Sequence, residues 1–389
     1  MSVVKLALRN LRGAGIRTWL NGFALSLAFV TIIFSQGLLE GINRQAERAS
    51  IDFEFGGGQF WCKGFDPYDP LTFDNAHRVL PEKIAHLVES GQAVAILVVP
   101  GTVFVQGKMV PVLLKGISTP QAVLKIPTAV LVDSSGHIPV LLGARMAKRL
   151  NVGVDDYLTL QWRDKEGAFN SREVRVAGIM QTSVGTIDQG QVWLPLKQLA
   201  NLAGLEEQAT VVVLKPGIKP PPAVEAWEFH TTEFLLSDLR QMIKTKTVGQ
   251  SIMFIVLFLL ALLAIFDTQV FSIFRRRREI GTLIALGMTR GAVIAMFTFE
   301  GAMYGVLAAF LGAIYGTPLF LYLSAYGLAM PGGNQWGFAL EERMYPAWTA
   351  GLILGTTVLV LITATFVSYL PARRILKLKP TDALRGKWV

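Results

Sequence analysis

RRRREIGTLIALGMTRGAVIAMFTFEGAMYG, Arg275–Gly305, is the stretch whose reading decides the fold. Four consecutive arginines close one apolar run, a short amphipathic turn of helix follows, and a second apolar run begins. Lys and Arg collect on the cytoplasmic side of spanning segments, so arginine this dense between two hydrocarbon-length runs marks a cytoplasmic turn. Between the runs, Glu279–Thr289 is apolar enough to lie against a membrane or a partner, and it carries charge at both ends. A short helix presented there is a place where a soluble motor can push. Read blandly, the same arginines only anchor the turn.

The charge of the whole chain supports the membrane reading. The 389 residues are 52% hydrophobic, with a mean hydropathy of +0.44, above the range of soluble domains. A net charge of +9 suggests nucleic acid until its distribution is read. Residues 1–17, 275–290 and 371–389 together hold fifteen basic and two acidic residues, and the remainder is net −4. The excess flanks apolar segments instead of tracking phosphates, which argues against a nucleic-acid partner. One cysteine, Cys62, excludes an internal disulfide and a cysteine-based zinc site.

Outward from the arginines the spans fall into place. Residues 1–18 read as a cytoplasmic amphipathic helix, with Val4, Leu8 and Leu11 toward lipid and Lys5, Arg9 and Arg12 toward headgroups. Residues 19–39 carry no charge and suffice for about 30 Å of hydrocarbon. No A-x-A site follows them, so they read as an uncleaved first span and not a signal peptide. The second span is 250–274, the cytoplasmic segment 275–290, and the third span 291–326, one long tilted crossing with Pro318 as its kink point. An outside loop (327–346), a fourth span (347–370) and a basic cytoplasmic tail (371–389) complete the chain. The expected fold is a membrane protein of four transmembrane α-helices with a large α+β extracytoplasmic domain, residues 40–249, between the first and second spans.

Within that domain, runs rich in Val, Ile, Phe and Trp broken by Gly, Pro and Asp predict strands at 56–65, 93–107, 110–117, 156–164 and 171–182. The 3.6-residue period predicts helices at 81–90 and 141–152, and 191–204 reads as strand into helix. Two subdomains are expected, joined near Ile117–Val132, with Pro216 and Pro220–Pro222 closing the domain in a stiff segment. Polar helices at 40–52 and 231–249 are expected to form a stalk.

Catalytic motifs are absent. There is no G-x-x-x-x-G-K-[ST], H-E-x-x-H or G-x-S-x-G, and His77, His86, His137 and His230 are scattered, so the chain reads as neither an enzyme nor a metal site. Asp267 and Glu300 differ, because an ionisable group inside a span is costly and marks a functional candidate. Both sit about 12–15 Å in from the cytoplasmic side at ~1.5 Å per residue. They face each other, pair with Ser, Thr or Gln of neighbouring helices, or line a wet crevice; the plain alternative is an interhelical hydrogen bond with no transport role. Gly301, Gly305, Gly312 and Gly316 form two small-xxx-small pairs, suited to close contact within the bundle or with a second subunit.

The stretch Arg275–Gly305 resembles the signature of the MacB/FtsX-like ABC transporter permeases, the type VII or mechanotransmission class. LPARRILKLKPTDALRG (370–386) resembles that family's ending and LALRNLRGAGIRTWL (6–20) its opening. LGARMAKRLNVGVDDYLTL (142–160) and VRVAGIMQT (174–182) resemble its extracytoplasmic domain. The KGI at 115–117, GTIDQGQVWLPL at 185–196 and the MPGG loop look most like the lipoprotein-releasing Lol-type permeases. The resemblance implies a permease paired with a second copy or a paralogue, in the bacterial inner membrane among its lipids, with the large domain in the periplasm or outside. It implies a cytoplasmic dimer of ABC ATP-binding subunits that carries ATP and Mg, so this chain binds no cofactor itself. Some 18 residues precede the first span, so that ATPase is expected as a separate chain. Glu279, Ile280, Gly281, Leu283, Ala285, Leu286, Gly287 and Met288 stand where the family's coupling helix seats in the ATPase. The implied work is extraction of lipoproteins, with efflux of drugs, peptides or other amphiphiles (MacB-like) and control of a cell-wall hydrolase (FtsX-like) as the alternatives.

Overall fold

The computed structural model of the chain describes residues 16–132, 136–222, 224–329, 343–373 and 375. The expectations for residues 1–15, for most of the 327–346 loop with its MPGG, and for the tail past 375 lie outside the described residues. Four helices among them are long and apolar enough to cross a membrane: Gly22–Phe55, Thr232–Arg275, Arg290–Tyr326 and Ala350–Ala372. The described residues up to Ile42, Ile243–Ala329 and those from Arg343 form one compact unit; Asn43–Met242 form another.

Helix α1 (Ile16–Ser50) runs on into one π-helical turn, Ile51–Phe55. Thirty-five residues reach about 50 Å, well beyond the ~30 Å of a hydrocarbon core. Its last turns, with Glu40, Arg44, Glu47 and Arg48, are accordingly polar.

The domain that follows contains β1 (Gln59–Cys62), β2 (Arg78–Val79), α2 (Glu82–Glu89), β3 (Ala93–Val105), β4 (Lys108–Ile117), β5 (Ile138–Gly143) and α3 (Ala144–Leu150). Next come β6 (Tyr157–Arg163), β7 (Phe169–Met180), α4 (Gly185–Gly190), β8 (Gln191–Pro195), α5 (Leu196–Ala203), β9 (Gln208–Ala209), β10 (Val211–Leu214) and β11 (Trp227–His230). Nine of these strands make a single sheet in the order β11-β1-β10-β3-β4-β8-β5-β7-β6, with β3 also reaching β6. The expected division into two subdomains is therefore corrected. The long β3 pairs with β10 at one end and β6 at the other, and β4 pairs parallel with β8, so strands from both sides of Ile117–Val132 interleave.

The central strands read as unbroken apolar runs because both faces are covered. Along β3, Leu97 and Val99 enter one core with Leu142, Leu160 and Leu194, while Ile96 and Val98 enter the other with Ile117, Leu141 and Trp193. The same alternation corrects the helix expected over 141–152. Leu141 and Leu142 face opposite cores as β5, and the helix begins only at Ala144. The proline segment does not close the domain either. The chain returns as β11, which pairs with β1 through Gln59↔His230 to Cys62↔Trp227.

On that edge His230 lies 4.2 Å from the Trp61 ring and stacks at 4.8 Å on Phe234. Burial pushes the imidazole below its usual range, against the opposing charge of Glu228. A histidine with a depressed folded pKa is bound by more protons in the unfolded chain, so its contribution is present above the unfolded value near 6.5 and lost as pH falls below it. The melting temperature of the purified chain is expected to drop between pH 7 and 5, and His230→Phe to flatten that dependence. An unchanged slope in the variant would assign the acid sensitivity elsewhere.

After α6 (Thr232–Leu235), α7 (Ser237–Arg275) carries the second apolar segment, α8 (Arg277–Ala285) follows, and α9 (Arg290–Tyr326) is the third, unbroken across Pro318. A short ribbon of β12 (Leu328–Ala329) and β13 (Arg343–Met344) precedes α10 (Ala350–Ala372), the fourth. The glycine pairs of α9 work within the bundle. Gly305 approaches Leu361 and Ala364 of α10, while Gly312 and Gly316 meet Val30 of α1. A Cβ at Gly301 would overlap Ser368 Oγ. Gly301→Leu is expected to cost about 1–3 kcal/mol through overpacking, seen as a lower melting temperature in detergent. A neutral result would mean that α9 and α10 are not this tightly apposed.

Candidate functional site

The segment between α7 and α9 is built from a break, a short helix and a capped reversal. The break is Arg276, whose backbone (φ −98°, ψ 16°) leaves the helical region between α7 and α8. Helix α8 starts two residues before the expected Glu279 and ends at Ala285, so Leu286–Thr289 is a turn and not helix. Gly287 N–H donates to Ile284 O (3.1 Å) and Met288 N–H to Leu283 O (3.0 Å), which is the Schellman closure with Gly287 at φ +95°. That left-handed backbone is the reason glycine stands there. Thr289 then caps α9, its hydroxyl accepting from Ala292 N–H at 3.3 Å.

Helix α8 has two unlike faces. Ile280, Leu283, Ile284 and Met288 pack with Ile273, Val293, Phe297, Ala372 and Ile375, drawing α7, α9 and the end of α10 into one cluster. Ile280 and Gly281 are buried, and Leu283 and Met288 half-buried. Glu279, Ala285, Leu286 and Gly287 are exposed, Leu286 at 80% of its surface. The eight residues singled out thus divide into a seat that fixes the helix and a face that is open.

The two intramembrane carboxylates part company. Glu300 is buried, and its carboxylate accepts from Arg276 Nη1 at 3.0 Å. Arg276 Nε also donates to Glu279 (2.8 Å), and its guanidinium lies 5.2 Å from the Phe297 ring centre. Burial opposes the Arg276 charge, but Glu279 and Glu300 outweigh it and the guanidinium pKa is raised. This corrects the expected choices for Glu300: its acid finds an arginine of the Arg275–Arg278 run. Asp267 is exposed and makes no ion pair or side-chain hydrogen bond with the described residues. Arg276 is the residue of this site that the sequence did not single out. Four adjacent arginines look alike in one dimension, and the bend at position 276 is where one of them meets the buried Glu300.

The stalk expectation meets a direct contact. Arg240 of α7 grips Glu47 of α1 with two hydrogen bonds of 3.0 Å, a bidentate fork.

Residues 251–380 match the model of the FtsX-like permease C-terminal family. A macrolide export ATP-binding/permease protein MacB of Bordetella avium is 24% identical over 237 residues, 56% of this chain and 34% of that protein. An uncharacterized ABC transporter permease of Methanocaldococcus jannaschii is 29% identical over 129 residues, 33% of this chain and 30% of its own length. The chain thus matches about a third of the length of these relatives. Among solved structures, the extracellular domain of the noncanonic ABC-type transporter YknZ from Gram-positive bacteria aligns with 41% of the chain at 16% identity and a TM-score of 0.27.

Proposed function

The chain is a multi-pass MacB/FtsX-like ABC transporter permease, and from that premise we propose that it couples ATP hydrolysis on a partner ATP-binding subunit to work done by the α+β domain beyond the membrane. The observation that carries this reading is the two-faced α8. Its buried seat ties it to three apolar helices, and its open end presents Leu286. An apolar side chain held out just past the end of a seated helix is suited to fill a pocket on a partner. In this reading Glu279–Met288 seats on the ATPase, ATP and Mg stay on that partner, and a second permease copy or paralogue completes the complex.

The proposed cargo is a membrane-embedded lipoprotein, supported by the Lol-like KGI, GTIDQGQVWLPL and MPGG stretches. Export of a drug-like amphiphile is the second reading, favoured by relatives described as macrolide exporters. The inner membrane and a periplasmic or outer location for the domain belong to the same proposal, supported by arginines flanking the α7–α9 turn. The test is ATP hydrolysis by the chain co-purified with its ATP-binding partner in nanodiscs. Stimulation by a triacylated lipoprotein supports release; stimulation by a macrolide and not by lipoprotein moves the cargo to efflux. No complex with any ATP-binding subunit would overturn the coupling role.

A further inference from the structure

The KGI motif at 115–117 is not absorbed by the α8 site. Gly116 admits the close approach of Leu196 and Leu199 of α5, and Ile117 is fully buried. Lys115 is the odd residue: a cation on the sheet's interior strand β4, with only 12% of its side chain exposed. Its Nζ lies 3.6 Å from Glu54 in the π-turn that ends α1, and 5.2 Å from the ring of Trp193, its register partner on β8.

From Glu47 to the end of the π-turn there are three acids, Glu47, Asp52 and Glu54, and each is held by a cation from a different part of the domain. Glu47 takes the fork from Arg240, and Asp52 meets Lys125 Nζ at 2.7 Å while its carbonyl accepts from Lys125 N–H at 2.8 Å. Glu54 meets Lys115, and its carbonyl accepts from Gln59 Nε2 at 2.7 Å. Ala49 and Phe53 between them pack into the core of Ile117, Trp193 and Val213. Helix α7 is attached differently. It follows α6 from β11, the last strand at one edge of the sheet. One long helix therefore sets Ala49 into the core near its end, and the other leaves from the strand at the sheet's rim.

We infer that α1 is the input arm of the domain and that Lys115 is the positioning residue through which displacement of α1 reaches the centre of the sheet. The physical reason is stiffness. A pair as shielded as Lys115–Glu54, with side chains 12% and 22% exposed, resists separation more than an exposed one, because pulling it apart leaves charge in a poorly solvated site. The exposed Lys125–Asp52 and Arg240–Glu47 pairs hold the same turn with less resistance. A π-turn, which often marks functional points in helices, sits where the load changes hands. This inference rests on the proposed mechanical coupling and names the route the motion takes.

The test uses the full chain with its ATP-binding partner in nanodiscs, spin-labelled at Lys165→Cys on the domain and Tyr322→Cys on α9, both exposed. Cys62 is buried and stays unlabelled. The label distance is read with ADP and with ATP plus vanadate. Lys115→Met should keep ATP hydrolysis but lose the nucleotide-dependent change in distance, and Lys115→Arg should restore it. Glu54→Gln, which keeps the shape of the joint, should reproduce the loss if Lys115→Met folds poorly. A full distance change in Glu54→Gln or Lys115→Met overturns the role of Lys115 while leaving mechanical coupling intact. No distance change in the parent chain overturns mechanical coupling, and the joint with it.

Discussion

Arg276→Gln is expected to abolish coupled activity while leaving the α+β domain folded. The guanidinium spans the break between α7 and α8 and binds Glu279 on one side and the buried Glu300 on the other. Taking one member from a buried pair costs up to about 3–5 kcal/mol, because the charge left behind loses one of the groups that neutralise it. Arg276 retains 22% of its side-chain exposure, so the lower end, about 3 kcal/mol, is the fair figure. That is still on the order of 100-fold in the balance between docked and undocked α8. Glu300→Gln keeps one acceptor and should lose less, so the two variants form a graded pair. The measurements are stimulated ATP hydrolysis and protease accessibility of the 276–289 segment. Tight, protected α8 in Arg276→Gln would show that the apolar seat alone fixes it.

Leu286→Asp should have an equally large effect by a different route. The side chain is 80% exposed, so the chain should fold normally, as surface changes shift stability by no more than about 0.5 kcal/mol. If Leu286 enters a pocket of the ATPase, a carboxylate there loses the apolar contact and buries an unpaired charge. Truncating a central anchor costs about 2–4 kcal/mol, which weakens the complex some 30- to 1,000-fold. Affinity of the purified chain for its ATP-binding partner, measured by biolayer interferometry, decides the matter. Loss of binding with an unchanged melting temperature supports the seat; unchanged binding removes Leu286 and the exposed end of α8 from it. Arg276→Gln should lower local order and coupling together, so the two variants separate docking of the helix from docking of the partner.

Much of the architecture was legible in one dimension because the solvent imposes it. Hydrocarbon demands about twenty apolar residues per crossing, and arginines sort to one side, so four spans and the interruption at 275–290 were readable from composition. The strands of the domain were readable where alternation or β-branched runs met turn residues, as in β3, β4, β6 and β7. Local signals failed where partners are remote. Leu141–Gly143 looked helical because the helix of Ala144–Leu150 follows without punctuation, and its strand state depends on pairing with β7 and β8. The single sheet was missed because proximity along the chain suggested two halves, whereas β10 and β11 return to β3 and β1 after long excursions.

The site divides along the same line. Sequence alone determined that a short amphipathic segment lies between two spans and that Asp267 and Glu300 are out of place in lipid. These are properties of residue type and spacing, set by transfer energies. Tertiary structure alone decided that Ile280 faces in and Leu286 out, that Glu300 closes on Arg276 while Asp267 stays exposed, and that Lys115 of β4 meets Glu54 at the end of α1. Each of those joins residues 24 or more positions apart, or chooses one face among several equivalent in sequence. Such choices are made by the packing of whole helices and strands, where a few ångströms of approach determine which charge finds its partner.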